Sequence, residues 1–147
     1  MYTIVLGLHS WIRWIALVAA FGTIIAAVRR RDAVADRWAL IAMSTLDLQM
    51  LLGLLLYLAV SPNMREILAN FGASMKDPVA RFWAVEHISA MFGAVVAAHI
   101  GRVLARKAKS PDSSRRRLLI AFSTATILML VGMPWPQRPG GRPLFRV

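Results

Sequence analysis

Apolar residues along the chain fall into four long blocks, separated by short segments rich in Arg, Ser and Pro. The first block runs from Thr3 to Val28 and stops at Arg29, Arg30 and Arg31. The second runs from Trp38 to Val60 and contains a leucine-rich stretch, Leu51 to Leu58, interrupted only by Gly53 and Tyr57. The third covers about 80–105 and the fourth about 115–132. Since about 20 apolar helical residues cross the hydrocarbon of a bilayer, the pattern predicts four membrane-spanning helices.

Between the blocks a Ser-Pro or Asp-Pro pair recurs at Ser61-Pro62, Asp77-Pro78 and Ser110-Pro111. Proline suits the first helical position, and the preceding Ser or Asp can cap it. After Pro62, the residues Met64, Ile67, Leu68 and Phe71 share one helical face. That amphipathic pattern predicts a short helix lying at the membrane interface between spans two and three. Gly132 and Pro134 end the fourth helix. Residues 133–147 are rich in Pro, Gly and Arg, so they form an extended tail, either disordered or laid along a partner. The expected fold is an all-α integral membrane four-helix bundle over 1–132, with spans at about 3–28, 38–60, 80–105 and 115–132.

Composition agrees with this reading. Of 147 residues, 58% are hydrophobic, more than an ordinary soluble domain of this size carries. The formal charge of +11 could suggest nucleic acid, but the basic residues flank apolar blocks in several short loops instead of forming one soluble module. They are placed to meet lipid head groups and set topology. Arg29, Arg30, Arg31 and Arg37, then Arg102, Arg106, Lys107, Lys109, Arg115, Arg116 and Arg117, lie on one side. The other side has Arg65, Lys76, Arg81, Arg138, Arg142 and Arg146. The basic excess belongs in the cytoplasm. Both termini and the 61–80 loop therefore face away from it, in a bacterial inner membrane. The first block has no cleavage site before its basic flank and reads as a retained span. With no Cys, disulfides and thiolate metal sites are excluded.

Ionisable residues inside spans are costly and mark candidate function. Helix one carries His9 and Arg13, helix two Asp47 and the neutral Gln49, and helix three Glu86, His87 and His99. His9 and His87 lie at comparable depth on two parallel helices, which suits bis-imidazole ligation of one haem iron between helices. The alternative is a polar network without cofactor. Glu86 and Asp47 are both candidate partners for Arg13, and Arg13 could instead hold a haem propionate or a quinone carbonyl. His99 lies about 18 Å beyond His87 along the helix and cannot reach the same iron. It reads as an interfacial histidine, or as part of a proton or polar network with Asp47 and Gln49. Gly93, Ala94, Ala97 and Ala98 leave room for a flat cofactor or for close helix packing.

His9-Ser10-Trp11-Ile12-Arg13-Trp14, Trp83-Ala84-Val85-Glu86-His87 with His99-Ile100-Gly101-Arg102, and Pro134-Trp135-Pro136-Gln137-Arg138 with Gly141-Arg142-Pro143-Leu144-Phe145-Arg146 resemble a group of small bacterial four-span membrane proteins, some of them cytochrome b-like. The resemblance covers nearly the whole chain. It implies haem b and places His9 and His87 at the ligand positions. Larger diheme b-type cytochromes carry paired histidines on two helices, whereas helix one here has a single histidine, so one haem is expected. The leading expectation is a small electron-transfer or quinone-associated subunit, with Arg13 and Glu86 tuning the haem. Rival expectations are a cofactor-free subunit of a larger respiratory or photosynthetic complex, docked through the tail, and a proton-coupled carrier that dimerises and uses Asp47 and Arg13.

Overall fold

The structure, a computed structural model, describes residues 1–138 and 140–145, and those residues form helices and no strand. Pro139, Arg146 and Val147, part of the tail pattern, lie outside the described residues. In order, the helices are α1 (Tyr2–Val28), α2 (Asp32–Leu55), α3 (Pro62–Ala69), α4 (Phe71–Ser74), α5 (Pro78–Arg81), α6 (His87–Arg106) and α7 (Pro111–Gly132). One π-helical turn, Leu56–Val60, extends α2, and another, Phe82–Glu86, joins α5 to α6.

Three helices are long and apolar enough to cross a membrane: Tyr2–Val28, Asp32–Val60 and Pro78–Arg106. The expected fourth falls short of that measure for a simple reason. Asp112, Arg115, Arg116 and Arg117 occupy the first turns of α7, and its uncharged part begins only at Leu118. The four long helices still pack as a ring, α1 against α2 and α7, and α6 against α7 and α2.

The core of this ring is built from small residues. Ala16, Ala20, Ala42, Ala94, Ala98 and Ala125 are fully buried, with Leu46 and Phe122 as the large members. A Cβ added to Gly101 would stand 2.0 Å from the Cβ of Ala121, so α6 and α7 touch backbone to side chain. The small residues of α6 thus serve close helix packing. The bulky apolar residues face outward: Ile4, Leu8, Trp11, Ile15, Val18 and Ile25 form an exposed stripe at helical spacing on α1.

Each proline-led helix starts with the side-chain cap its sequence suggests. Ser61 Oγ accepts from Met64 N at 3.3 Å, Asp77 Oδ1 from Val79 N at 2.7 Å and Ala80 N at 2.8 Å, and Ser110 Oγ from Ser113 N at 3.2 Å. The apolar face expected after Pro62 is divided: Phe71 is exposed, whereas the part on α3 turns inward. Met64 and Ile67 are buried against Ala84, Tyr57 and Trp83, so α3 closes one end of the bundle. The opposite end is held by ion pairs. Arg115 reaches both carboxylate oxygens of Asp32, at 2.9 and 2.8 Å, and also Asp112. Arg102, buried, pairs with Asp36 at 3.2 Å.

Candidate functional site: a histidine pair in a tail-capped cavity

The site begins with the way α7 ends. A helical carbonyl is normally taken by the N–H four residues on, and proline has none. Pro134 and Pro136 stand four residues after Leu130 and Gly132, so those two carbonyls lose their usual donors. Side chains replace them. Trp135 Nε1 donates to Leu130 O at 2.7 Å, and His87 Nδ1 lies 2.7 Å from Gly132 O. A carbonyl only accepts, so this contact puts the proton of His87 on Nδ1 and leaves the Nε2 lone pair free for a neutral ring. Phe82 and Trp83 pack against the same imidazole, with ring centres 6.0 and 5.5 Å away.

His9, on α1, faces His87 with ring centres 6.3 Å apart and planes at 71°. Gln49 Nε2 donates to His9 O at 2.7 Å, anchoring α2 to this level of α1. Gly53 makes room for the ring: a Cβ there would stand 3.2 Å from His9 Cε1. His9 Nδ1 and Gln49 Oε1 are buried and have no hydrogen-bond partner among the described residues. The pair lines a cavity of about 140 Å³ whose walls include Leu6, Met50, Leu54, Tyr57, Ile88 and Met91. Tyr57 Oη donates to Ala84 O at 2.8 Å, tying the two π-helical turns together beside the cavity. Such turns insert one residue into a helix and are frequent beside functional sites.

The tail folds back over this end of the bundle. Leu144 O accepts from Arg13 Nη2 and, at 3.3 Å, from Trp14 Nε1. Phe145 stacks on Trp14 with centres 5.4 Å apart, and also meets Trp11 at 5.6 Å. Arg142 lies over the Trp83 ring at 5.4 Å, and both Arg13 and Arg142 border the cavity. The described part of the tail is therefore a cap on its own chain.

The other candidates sit elsewhere. Glu86, half-exposed, pairs with Arg81 at 2.9 Å and is turned from the cavity. Asp47 pairs with His99 at 3.4 Å on the outer surface between α2 and α6. The structure thus gives each proposed acidic partner of Arg13 another neighbour, Arg81 for Glu86 and His99 for Asp47. Sequence reasoning missed Gly53, Tyr57, Trp83 and Arg142 as neighbours of the histidines. The one sequence signal that could have pointed here is the spacing of Pro136 from Gly132, which leaves that carbonyl in need of a side-chain donor.

Among the described residues no group of three or more His, Cys, Asp or Glu side chains could hold a bare metal ion. Two imidazoles suffice where a porphyrin supplies the in-plane nitrogens. His9 and His87, with ring centres 6.3 Å apart, would be the residues to hold such a group, which would supply a one-electron couple. The backbone acceptor on His87 Nδ1 is of the kind that fixes the tautomer in metal-binding histidines generally. The macrocycle needs more room than the cavity gives, and Met50, Met64 and Met91, all in its wall, are unbranched side chains that repack readily. His9, His87, Arg13 and Arg142 in its wall are side-chain types that could hold a haem, while the cavity as it stands is too small for one. Searches of protein-family models, curated proteins and solved structures each found no match to this chain.

Proposed function

We propose that the chain is a four-span membrane cytochrome that binds one haem b between His9 and His87 and carries electrons. The observation that supports this best is the facing imidazole pair, 6.3 Å apart, with one ring oriented through Nδ1 by a helix-end carbonyl. Arg13 and Arg142, at the cavity edge, are placed to meet haem propionates. When bound, the haem would supply a one-electron couple; the chain would set its ligation, its orientation and its separation from water. The tail cap and the ring of Phe82 and Trp83 serve that separation.

Membrane insertion is supported by the inside-out distribution of side chains. Alanines fill the core while Ile, Leu, Val and Phe point outward, the arrangement hydrocarbon tolerates and water does not. Helix α7 spans within this bundle, its short uncharged stretch flanked by arginines at one end and tryptophan at the other. The basic excess at the other end supports an orientation with both termini and the histidine pair on the non-cytoplasmic side of a bacterial inner membrane. The rival reading of the tail as an arm for a larger complex loses force, because the described tail makes its contacts on Arg13, Trp14 and Trp83. The carrier reading also weakens, since Asp47 lies outside the cavity.

The test is spectroscopic. Protein expressed with ample haem supply is expected to purify with one haem b per chain and a low-spin, six-coordinate spectrum. His9→Ala and His87→Ala should each abolish the low-spin signal, while Glu86→Gln should keep it. A folded, haem-free wild-type protein under those conditions overturns the proposal.

A further inference from the structure

The turn from α1 to α2 is closed by its own backbone. Arg31 N donates to Ala26 O at 2.9 Å and Arg30 N to Ala27 O at 3.1 Å, the pair of bonds that ends a helix when the next residue turns left-handed. Arg30 is that residue, with φ of 56°, where glycine is usual. On either side of it, Arg29 and Arg31 border a second cavity, of about 400 Å³, whose walls include Val18, Phe21, Ile25, Val34 and Trp38. Gly22 admits the indole to that wall: an added Cβ there would stand 2.7 Å from Trp38 Cδ2.

Charge and shape are divided within this cavity. Neither Arg29 nor Arg31 has an ion pair among the described residues, because the acids at this end are taken elsewhere: Asp32 and Asp112 by Arg115, and Asp36 by Arg102. Two cations therefore stand at one mouth of the cavity without a counter-charge. The remaining wall is apolar, and Val18, Phe21, Ile25 and Val34 are all exposed. Val18, Phe21, Ile25 and Arg29 recur at helical spacing, so they share one face of α1. From Val18 to Arg29 is about 16 Å along the axis at about 1.5 Å per residue. Half of the bilayer hydrocarbon is about 15 Å. The apolar strip thus matches the depth of one leaflet, with the arginines at head-group level.

We propose that the cavity between α1 and α2 is a site for one anionic phospholipid, its phosphate held by Arg29 and Arg31 and one acyl chain laid along Ile25, Phe21 and Val18. Guanidinium groups bind phosphate oxygens through paired, charge-assisted hydrogen bonds, and basic pockets between membrane helices on the cytoplasmic side suit anionic head groups. A zwitterionic lipid is the poorer occupant, because it brings its own cation to a mouth that already holds two. The apolar wall adds what a basic loop alone lacks, a fixed place for the chain as well as the head. The site rests on the membrane insertion proposed above and is independent of haem.

The experiment is native mass spectrometry of the full chain, extracted from the membrane fraction and titrated in detergent with phosphatidylglycerol or with phosphatidylcholine of the same acyl length. One phosphatidylglycerol is expected to stay on each chain, and phosphatidylcholine to leave. Arg29→Gln combined with Arg31→Gln should weaken retention about thirtyfold, equivalent to about 2 kcal/mol. Ile25→Trp should also weaken it, by filling the apolar part while keeping both arginines. Arg106→Gln combined with Arg116→Gln removes the same charge from the same end outside the cavity, and should bind like wild type. Haem is read as a separate mass in the same spectra, so its absence leaves this test intact. A membrane-extracted chain that holds both lipids alike, or that loses lipid equally in the two double variants, overturns the proposal. So does a disulfide-linked dimer formed in membranes by Val18→Cys, since a second copy would then cover the cavity.

Discussion

At the scale of single residues, the chain repeatedly satisfies backbone groups with side chains where proline has removed the usual donor. Trp135 and His87 do this for Leu130 and Gly132. The need for such donors is legible in the spacing of Pro134 and Pro136. Which side chain supplies them is not, because His87 arrives from another helix 45 residues away. Charged residues at the other end behave similarly. Asp112 precedes the uncharged part of α7 and is bound by Arg115. That hydrogen bond and the guanidinium charge hold the Asp112 carboxyl below its ordinary value of 3.8. A lowered carboxyl pKa means the folded state holds fewer protons than the unfolded one as pH drops through this range. The contribution of the contact is thus whole above about pH 4 and fades as pH falls through the lowered value. Carboxyl-selective NMR titration should place the Asp112 midpoint under 3.8. Arg115→Gln should return it toward the ordinary value, and an unchanged midpoint in that variant would count against the ion pair. The exposed position argues that its effect on overall stability is small.

At the scale of elements, hydropathy pointed to the three helices long and apolar enough to cross a membrane, though α2 begins at Asp32, ahead of the apolar block, and α7 is shorter in its uncharged part; the three Ser/Asp-Pro pairs marked three helix starts to the residue. The interruptions were harder. A π-helical turn adds one residue to a helix, and at Leu56–Val60 and Phe82–Glu86 that shift leaves no trace in an otherwise apolar sequence. The destination of α3 was also hidden, since an amphipathic face reads the same whether it meets lipid or the bundle end. Helix contact distances likewise depend on which small residue meets which neighbour. Gly101 shows the consequence, with Ala121 filling the space its Cβ would need. Gly101→Ala should push α6 from α7 and destabilise the protein by about 1–3 kcal/mol, the usual range for overpacking. Gly7, on α1, has nothing within 4 Å of an added Cβ, so Gly7→Ala should be neutral or stabilising by up to about 1 kcal/mol through helix propensity. Thermal melts in one detergent would compare the two. Equal effects from both substitutions would mean that α6 and α7 are not in the observed contact.

At the scale of the whole molecule, the two ends differ in chemistry, and orientation decides what each end can do. One end gathers the histidine pair, the tail cap and the buried face of α3. The other carries Arg29, Arg30, Arg31, Arg106 and Lys107, with Asp32, Asp36 and Asp112 engaged by Arg102 and Arg115. Those acids partly neutralise the second end, but acidic residues weigh little in setting topology, so the proposed orientation, with this end in the cytoplasm, rests on its basic residues. In the proposed orientation the histidine pair would lie toward the outer surface, and a haem held there would meet a redox partner outside the membrane. Because the chain has no cysteine, single-cysteine variants report this directly. In intact spheroplasts, Asn63→Cys, exposed at the start of α3, should react with a membrane-impermeant maleimide. Lys107→Cys should react only after lysis. The reverse pattern would put the histidine pair on the cytoplasmic face, and labelling of both without lysis would overturn the proposed four-span arrangement.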